Sequence, residues 1–100
     1  MAKGYWVARV DVHNAEGFKP YADALQPILK EFGGRYVVRG GKFEGMEGSS
    51  RSRNVVIEFA DYATAVACYR SPEYEENIKR RLPHSTVDLI VIEGYDGPQP

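Results

Sequence analysis

One hundred residues, 43% hydrophobic and 27% charged, suffice for one core that buries roughly 65% of the unfolded surface, and are too few for two. Thirteen Lys and Arg against fourteen Asp and Glu leave a net charge of −1, so no broad field favours nucleic acid or anionic lipid. The longest apolar runs, such as Leu89-Ile90-Val91-Ile92, are strand-sized and far short of the ~20 residues of a membrane span. Cys68 is the single cysteine, which excludes an intrachain disulfide, and no apolar signal core follows Met1-Ala2-Lys3. A cytoplasmic protein is the expectation.

Tyr5 to Val12 reads as a strand, with Trp6, Ala8, Val10 and Val12 alternating against Tyr5, Val7, Arg9 and Asp11. Asn14 then offers a helix cap. Phe18, Tyr21, Ala22, Leu25, Leu29 and Phe32 follow at three- and four-residue steps until Gly33-Gly34 stops the helix, and Pro27 predicts a bend within it. Arg35 to Arg39 is a second strand; Gly40-Gly41 permits a bulge or bend, after which Lys42-Phe43-Glu44 is expected to carry the strand onward. Gly45 to Ser52 is turn-rich, and Asn54 to Phe59 is a third strand, paired to the second as a hairpin.

Asp61 caps a helix through Ala63, Val66, Ala67 and Tyr69, and Ser71-Pro72-Glu73 restarts one, with serine at the cap and proline at the first helical position. Glu73, Glu75 and Glu76 at its start and Lys79, Arg80 and Arg81 at its end match the helix dipole, a structural role for those charges. Pro83 ends this piece, Val87 to Glu93 is a fourth strand, and Gly94 to Pro100 reads as a loose tail.

The order is βαββαβ, which in a domain of this size builds a ferredoxin-like α+β fold: a four-stranded antiparallel sheet with both helices on one face. Strict alternation puts Trp6, Ala8, Val10, Tyr36, Val38, Val55, Ile57 and Phe59 against the helices. Val7, Arg9, Val37, Arg39, Val56 and Glu58 then fall on the open face, where Leu89 and Val91 of the doubly apolar fourth strand are counted too. A bare face of this kind predicts a second copy packed against it, a homodimer.

Arg35-Tyr36-Val37-Val38-Arg39-Gly40-Gly41, Val56-Ile57-Glu58-Phe59, Tyr69-Arg70-Ser71-Pro72-Glu73-Tyr74 and Ile92-Glu93-Gly94 together resemble the small bacterial proteins grouped as domain of unknown function 1330. The resemblance runs from about Ala2 to Gly94. It implies a ferredoxin-like fold assembled as a dimeric α+β barrel, a superfamily that also holds monooxygenases needing no metal or flavin and muconolactone-isomerase-type enzymes. The family itself carries no established activity.

Arg39, beside the Gly40-Gly41 bend, is suited to holding a carboxylate, phosphate or enolate oxygen; the plainer alternative is a cross-strand ion pair with Glu58. Glu58 and Arg9 complete an ionic group that lines a pocket or fixes two subunits in register. Tyr21, Tyr36, Tyr69 and Tyr74 are candidates for the cleft between sheet and helices, where phenols orient planar ligands, against the plainer role of amphipathic packing. His13 falls where the cleft mouth would open. No His or Cys pair has metal-ligand spacing, Asp11 with His13 being the one weak exception, so neither metal nor cofactor is expected. The third strand lacks the outward aromatics of an RNA-recognition module, which argues against nucleic acid. Two readings of function stand: a dimeric protein that binds or transforms a small carbonyl, phenolic or carboxylate compound without a cofactor, and a non-enzymatic dimeric binding or stress-related module.

Overall fold

The computed structural model describes residues 1–100. Its elements are β1 (Gly4–Val12), α1 (Ala15–Glu31), β2 (Arg35–Arg39), β3 (Arg53–Phe59), α2 (Tyr62–Tyr69), α3 (Pro72–Arg81), a 3₁₀ turn (Leu82–His84) and β4 (Ser85–Glu93). The four strands form one antiparallel sheet in the order β2-β3-β1-β4, the ferredoxin-like topology that the element order predicts. No helix is long and apolar enough to cross a membrane.

Local chemistry sets the helix boundaries. The side chains of Asn14, Asp61 and Ser71 accept from the backbone N–H of Gly17, Thr64 and Tyr74, capping α1, α2 and α3. α1 runs on through both Pro20 and Pro27 as one helix. Ser71 Oγ also donates to Cys68 O, so the residue that ends α2 starts α3.

Trp6 lies at the centre of the core, 1% exposed, with its indole N–H donating to Ala65 O over 2.8 Å. Phe59, Tyr69 and Tyr74 surround its ring at centroid separations of 5.4, 5.7 and 4.8 Å. The two helical layers sit differently on the sheet. α2 presents the small, fully buried Ala65 and Cys68 and lies directly on β1, close enough that Gly4 has no room for a Cβ against the Asp61–Tyr62 backbone. α1 presents Phe18, Tyr21 and Leu25 and packs chiefly on α3, which props it off the sheet.

Three features of the sheet differ from the alternation read in the sequence. The β2–β3 register shifts between Tyr36 and Val38, because Val37 is an extra, bulged residue. Every residue beyond it therefore changes side. Arg39 pairs opposite Val55 on the helix-facing side, while Val38 pairs opposite Val56 on the open face. On β4, Leu89 and Val91 pair with Ala8 and Trp6 and face the helices, leaving Ile90 and Ile92 on the open side, 55% and 47% exposed. The sequence is apolar at all four positions, so only the register distinguishes them. Finally, β2 ends at Arg39: Lys42-Phe43-Glu44 does not continue the strand, since Gly40 takes a positive φ of 65° and its N–H turns back to Asn54 O.

Trp6→Ala should cost about 3–5 kcal/mol of stability in urea unfolding, as a large aromatic is removed from a site that cannot collapse. Tyr95→Ala, in the exposed tail, should stay within about 0.5 kcal/mol. A Trp6→Ala loss below 1 kcal/mol would contradict the central position of this ring.

Candidate functional site

The gap under α1 is a cavity of about 60 Å³. Trp6, Ala8 and Val10 of β1, Val55 and Ile57 of β3, and Val87 and Leu89 of β4 form its floor; Phe18, Tyr21, Ala22 and Leu25 of α1 form its roof. Tyr36, Arg39 and Arg53 complete the wall on the β2–β3 side.

Arg39 reaches this wall only because of the Val37 bulge. It makes no ion pair; its guanidinium lies over the Tyr36 ring, 4.3 Å from the centroid. Tyr36 is held in turn by Gln26, whose amide donates to the Tyr36 hydroxyl and to Ala22 O, both at 2.9 Å. Sequence reasoning missed Arg53, since it falls at the edge of the turn-rich segment, one residue before the expected start of β3. The discoverable signal was its period-two phase with Val55 and Ile57.

The remaining candidates divide among other places. Glu58 is on the open face and accepts from Arg35 Nε at 3.0 Å and from the Tyr5 hydroxyl at 3.1 Å, so its cation is Arg35 rather than Arg39. Arg9 is on that same face and donates to Ser49 O of the β2–β3 connection, beside a shallow depression lined by Phe43, Met46 and Ser50. The structure thus separates Arg39 from Arg9 and Glu58. Tyr69 lines a groove between α2 and β4 with Tyr62, Val66 and Arg70, not the cavity. His13 contacts Thr86 Oγ1 at 2.8 Å on the exposed side of the sheet end. Asp11 is taken by Arg51 and by the Ser52 N–H, and no three His, Cys, Asp or Glu side chains converge in a group able to hold a metal ion.

Behind the cavity lies a buried polar cluster between α1 and α3. The Tyr21 and Tyr74 hydroxyls share a hydrogen bond of 2.7 Å, Asn77 donates to Tyr21 O, and Arg81 lies over the Tyr21 ring at 5.5 Å. Arg81 is only 7% exposed and stacks on the Tyr21 ring, a structural role at the helix end that includes this cluster. Burial pushes both phenols above their ordinary pKa, Tyr21 furthest, and keeps them protonated. Burial likewise pushes the Cys68 thiol up to about 12, leaving it a core residue without thiolate character.

The fold and this cleft define a class: small α+β proteins of ferredoxin-like topology with an apolar cavity between sheet and helix. The pattern of the domain of unknown function 1330 matches residues 3–95, and the chain belongs to that family. A crystallised protein of unknown function from Rhodopseudomonas palustris is 20% identical, with a TM-score of 0.72 over 96% of this chain and 85% of its own. SnoaB, a cofactor-independent oxygenase from Streptomyces nogalater, is 13% identical, with a TM-score of 0.54 over 100% and 97%. A conserved protein from Bacteroides thetaiotaomicron described as a possible oxidoreductase is 15% identical, with a TM-score of 0.53 over 92% and 97%. At these identities the likeness is one of fold. No curated protein matches the sequence.

Carboxylates fix the acid limb of stability. Arg35 holds Glu58 below its ordinary range, the Ser52 N–H and Arg51 do the same for Asp11, and hydrogen bonds from Thr64 do so for Asp61. A depressed folded pKa stabilises above the unfolded value and is lost as pH falls through the folded one. The urea midpoint should therefore drop as pH is lowered from about 5 towards 2, below the ordinary carboxylate range near 4. Glu58→Gln should lower the midpoint at pH 7 and flatten part of that decline; an unchanged slope would remove Glu58 from the acid limb.

Proposed function

We propose that this protein is a homodimer that takes a small carbonyl, phenolic or carboxylate compound into the cavity under α1 and transforms it by isomerisation or cofactor-free oxidation. The observation that carries the reading is an apolar cavity whose wall includes a permanent cation, Arg39, with no carboxylate within 4.0 Å. A guanidinium spared an internal partner is free to meet an oxyanion, and Arg39 is exposed and presents its charge at the wall of the apolar cavity. The fold that the chain shares with a cofactor-independent oxygenase supports the chemistry as an analogy only.

The dimer rests on the open face. Val7, Val38, Val56, Ile90 and Ile92 share it, with Val38 39% exposed and both isoleucines more so. A contiguous apolar patch rimmed by the Tyr5–Glu58–Arg35 and Arg51–Asp11–Asp88 groups fits a self-complementary interface. One observation favours the second reading, a non-enzymatic binding module: at about 60 Å³ the cavity holds little more than a few waters.

Val56→Asp should dissociate the dimer in sedimentation at micromolar concentration, because it places an unpaired charge in a desolvated interface, whereas Ser50→Asp, on an exposed turn, should leave it intact. Wild type sedimenting as a single chain would end the dimer reading. A thermal-shift screen of small carboxylates and phenolic carbonyl compounds on wild type and Arg39→Met tests the site. Hits should stabilise wild type by a few degrees and the variant markedly less. Equal stabilisation would take Arg39 out of the site, and no hits at all would favour the non-enzymatic dimer.

A further inference from the structure

We infer that Arg39 and Arg53 together form a two-guanidinium clamp for the carboxylate of a short-chain organic acid, with the acid's apolar end inserted under α1. The inference rests on the cavity being the ligand site and specifies what it takes.

The sheet register brings the two arginines together. Arg39 pairs opposite Val55, and Arg53 lies two residues before Val55 on the same side of β3. They are diagonal cross-strand neighbours, a relation that places residues about 7–8 Å apart, within reach of long side chains. Two like charges so placed repel unless an anion lies between them. Arg35 is neutralised by Glu58 and Arg51 by Asp11 and Asp88, whereas Arg39 and Arg53 on the cavity side, like Arg9 on the open face, have no carboxylate partner.

Each side chain has a defined neighbour on the wall. Arg39 rests on the Tyr36 ring, itself fixed by Gln26. Arg53 lies against the Cα of Gly40, where any Cβ would collide with its Nη1, and where φ of +65° disfavours other residues. Gly40 leaves the room that the Arg53 guanidinium occupies. Planar guanidinium forks match the two oxygens of a carboxylate. The other lining residues are hydrophobic, twelve of fourteen, so the remainder of the ligand is apolar. Size limits it further. A dry cavity of about 150 Å³ accepts benzene, and this one is about 60 Å³; a chain of about three to five carbons fits where a ring does not, so the clamp narrows the classes proposed above to short-chain carboxylates and leaves out the phenolic ones.

The test is an NMR titration of the full chain with isobutyrate, its neutral isostere isobutyramide and inorganic phosphate, following the indole N–H of Trp6 in the cavity floor. Isobutyrate should shift that signal saturably, with affinity of order millimolar for so few atoms, and isobutyramide at least tenfold more weakly. Arg53→Met and Arg39→Met should each weaken isobutyrate about tenfold. Arg53→Lys should be intermediate, Gly40→Ala should weaken binding several-fold, and Arg35→Met on the open face should have no effect. Dispersed spectra identify the variants that remain folded, and Arg53→Lys keeps the charge should Arg53→Met unfold. Equal binding of isobutyrate and isobutyramide, or isobutyrate binding unchanged in Arg53→Met, overturns the clamp while leaving the cavity as a ligand site. Phosphate binding as tightly as isobutyrate overturns the assignment to an apolar acid. If none of the three moves the Trp6 signal, the cavity reading fails together with the clamp.

Discussion

The structure hangs on Trp6. Its ring fills the space where β1, β3, α2 and α3 meet, and its one polar atom is satisfied by Ala65 O, which draws α2 down onto the sheet. A buried indole N–H without an acceptor costs about 1–3 kcal/mol, so this bond fixes α2 in height as well as direction. Because α2 sits low on small residues and α1 is held high by Phe18, Tyr21 and Leu25, the sheet is tightly covered at one end and loosely at the other. The cavity is the consequence of that unequal spacing.

One inserted residue then decides the chemistry of the cavity wall. Had β2 kept strict alternation, Arg39 would lie on the open face opposite Asn54, beside Arg9. Glu58 pairs with Arg35 ahead of the bulge at Val37; the bulge itself puts Val38 among the apolar residues of the open face and Arg39 on the cavity side. The same residue thus makes the open face more apolar and the cleft cationic.

α1 and α3 are joined by polar as well as apolar groups. At the back of the cavity the Tyr21 and Tyr74 hydroxyls share a hydrogen bond, Asn77 donates to Tyr21 O and Arg81 stacks on the Tyr21 ring, a geometry far more directional than leucine packing. Such a network holds α1 at one height above the sheet, which keeps the cavity from closing by simple collapse. The arrangement is consistent with a helix carrying two prolines, each of which removes a backbone hydrogen bond from α1 itself.

Much of the fold was legible in the sequence because it is encoded locally. Period-two alternation marked Trp6, Ala8 and Val10 as the inner face of β1; Asn14, Asp61 and Ser71 announced the helix starts; and the element order implied the sheet topology. Of the cavity wall, Tyr21, Tyr36 and Arg39 were legible as residues, though Arg39 was assigned to the opposite face and Arg53 passed unnoticed. Local pattern cannot show a bulge, since one extra residue in β2 is visible only against the partner strand that it slips past. Nor can it orient β4, where Leu89, Ile90, Val91 and Ile92 are equally apolar and pairing with Trp6 and Ala8 alone selects the inner pair. The sequence by itself determined which segments are strands and helices and in what order they pack, because those follow from neighbours along the chain. The sides on which Arg39, Val38 and Leu89 lie, and hence what the cavity can hold, were decided only by hydrogen-bond register between strands distant in sequence.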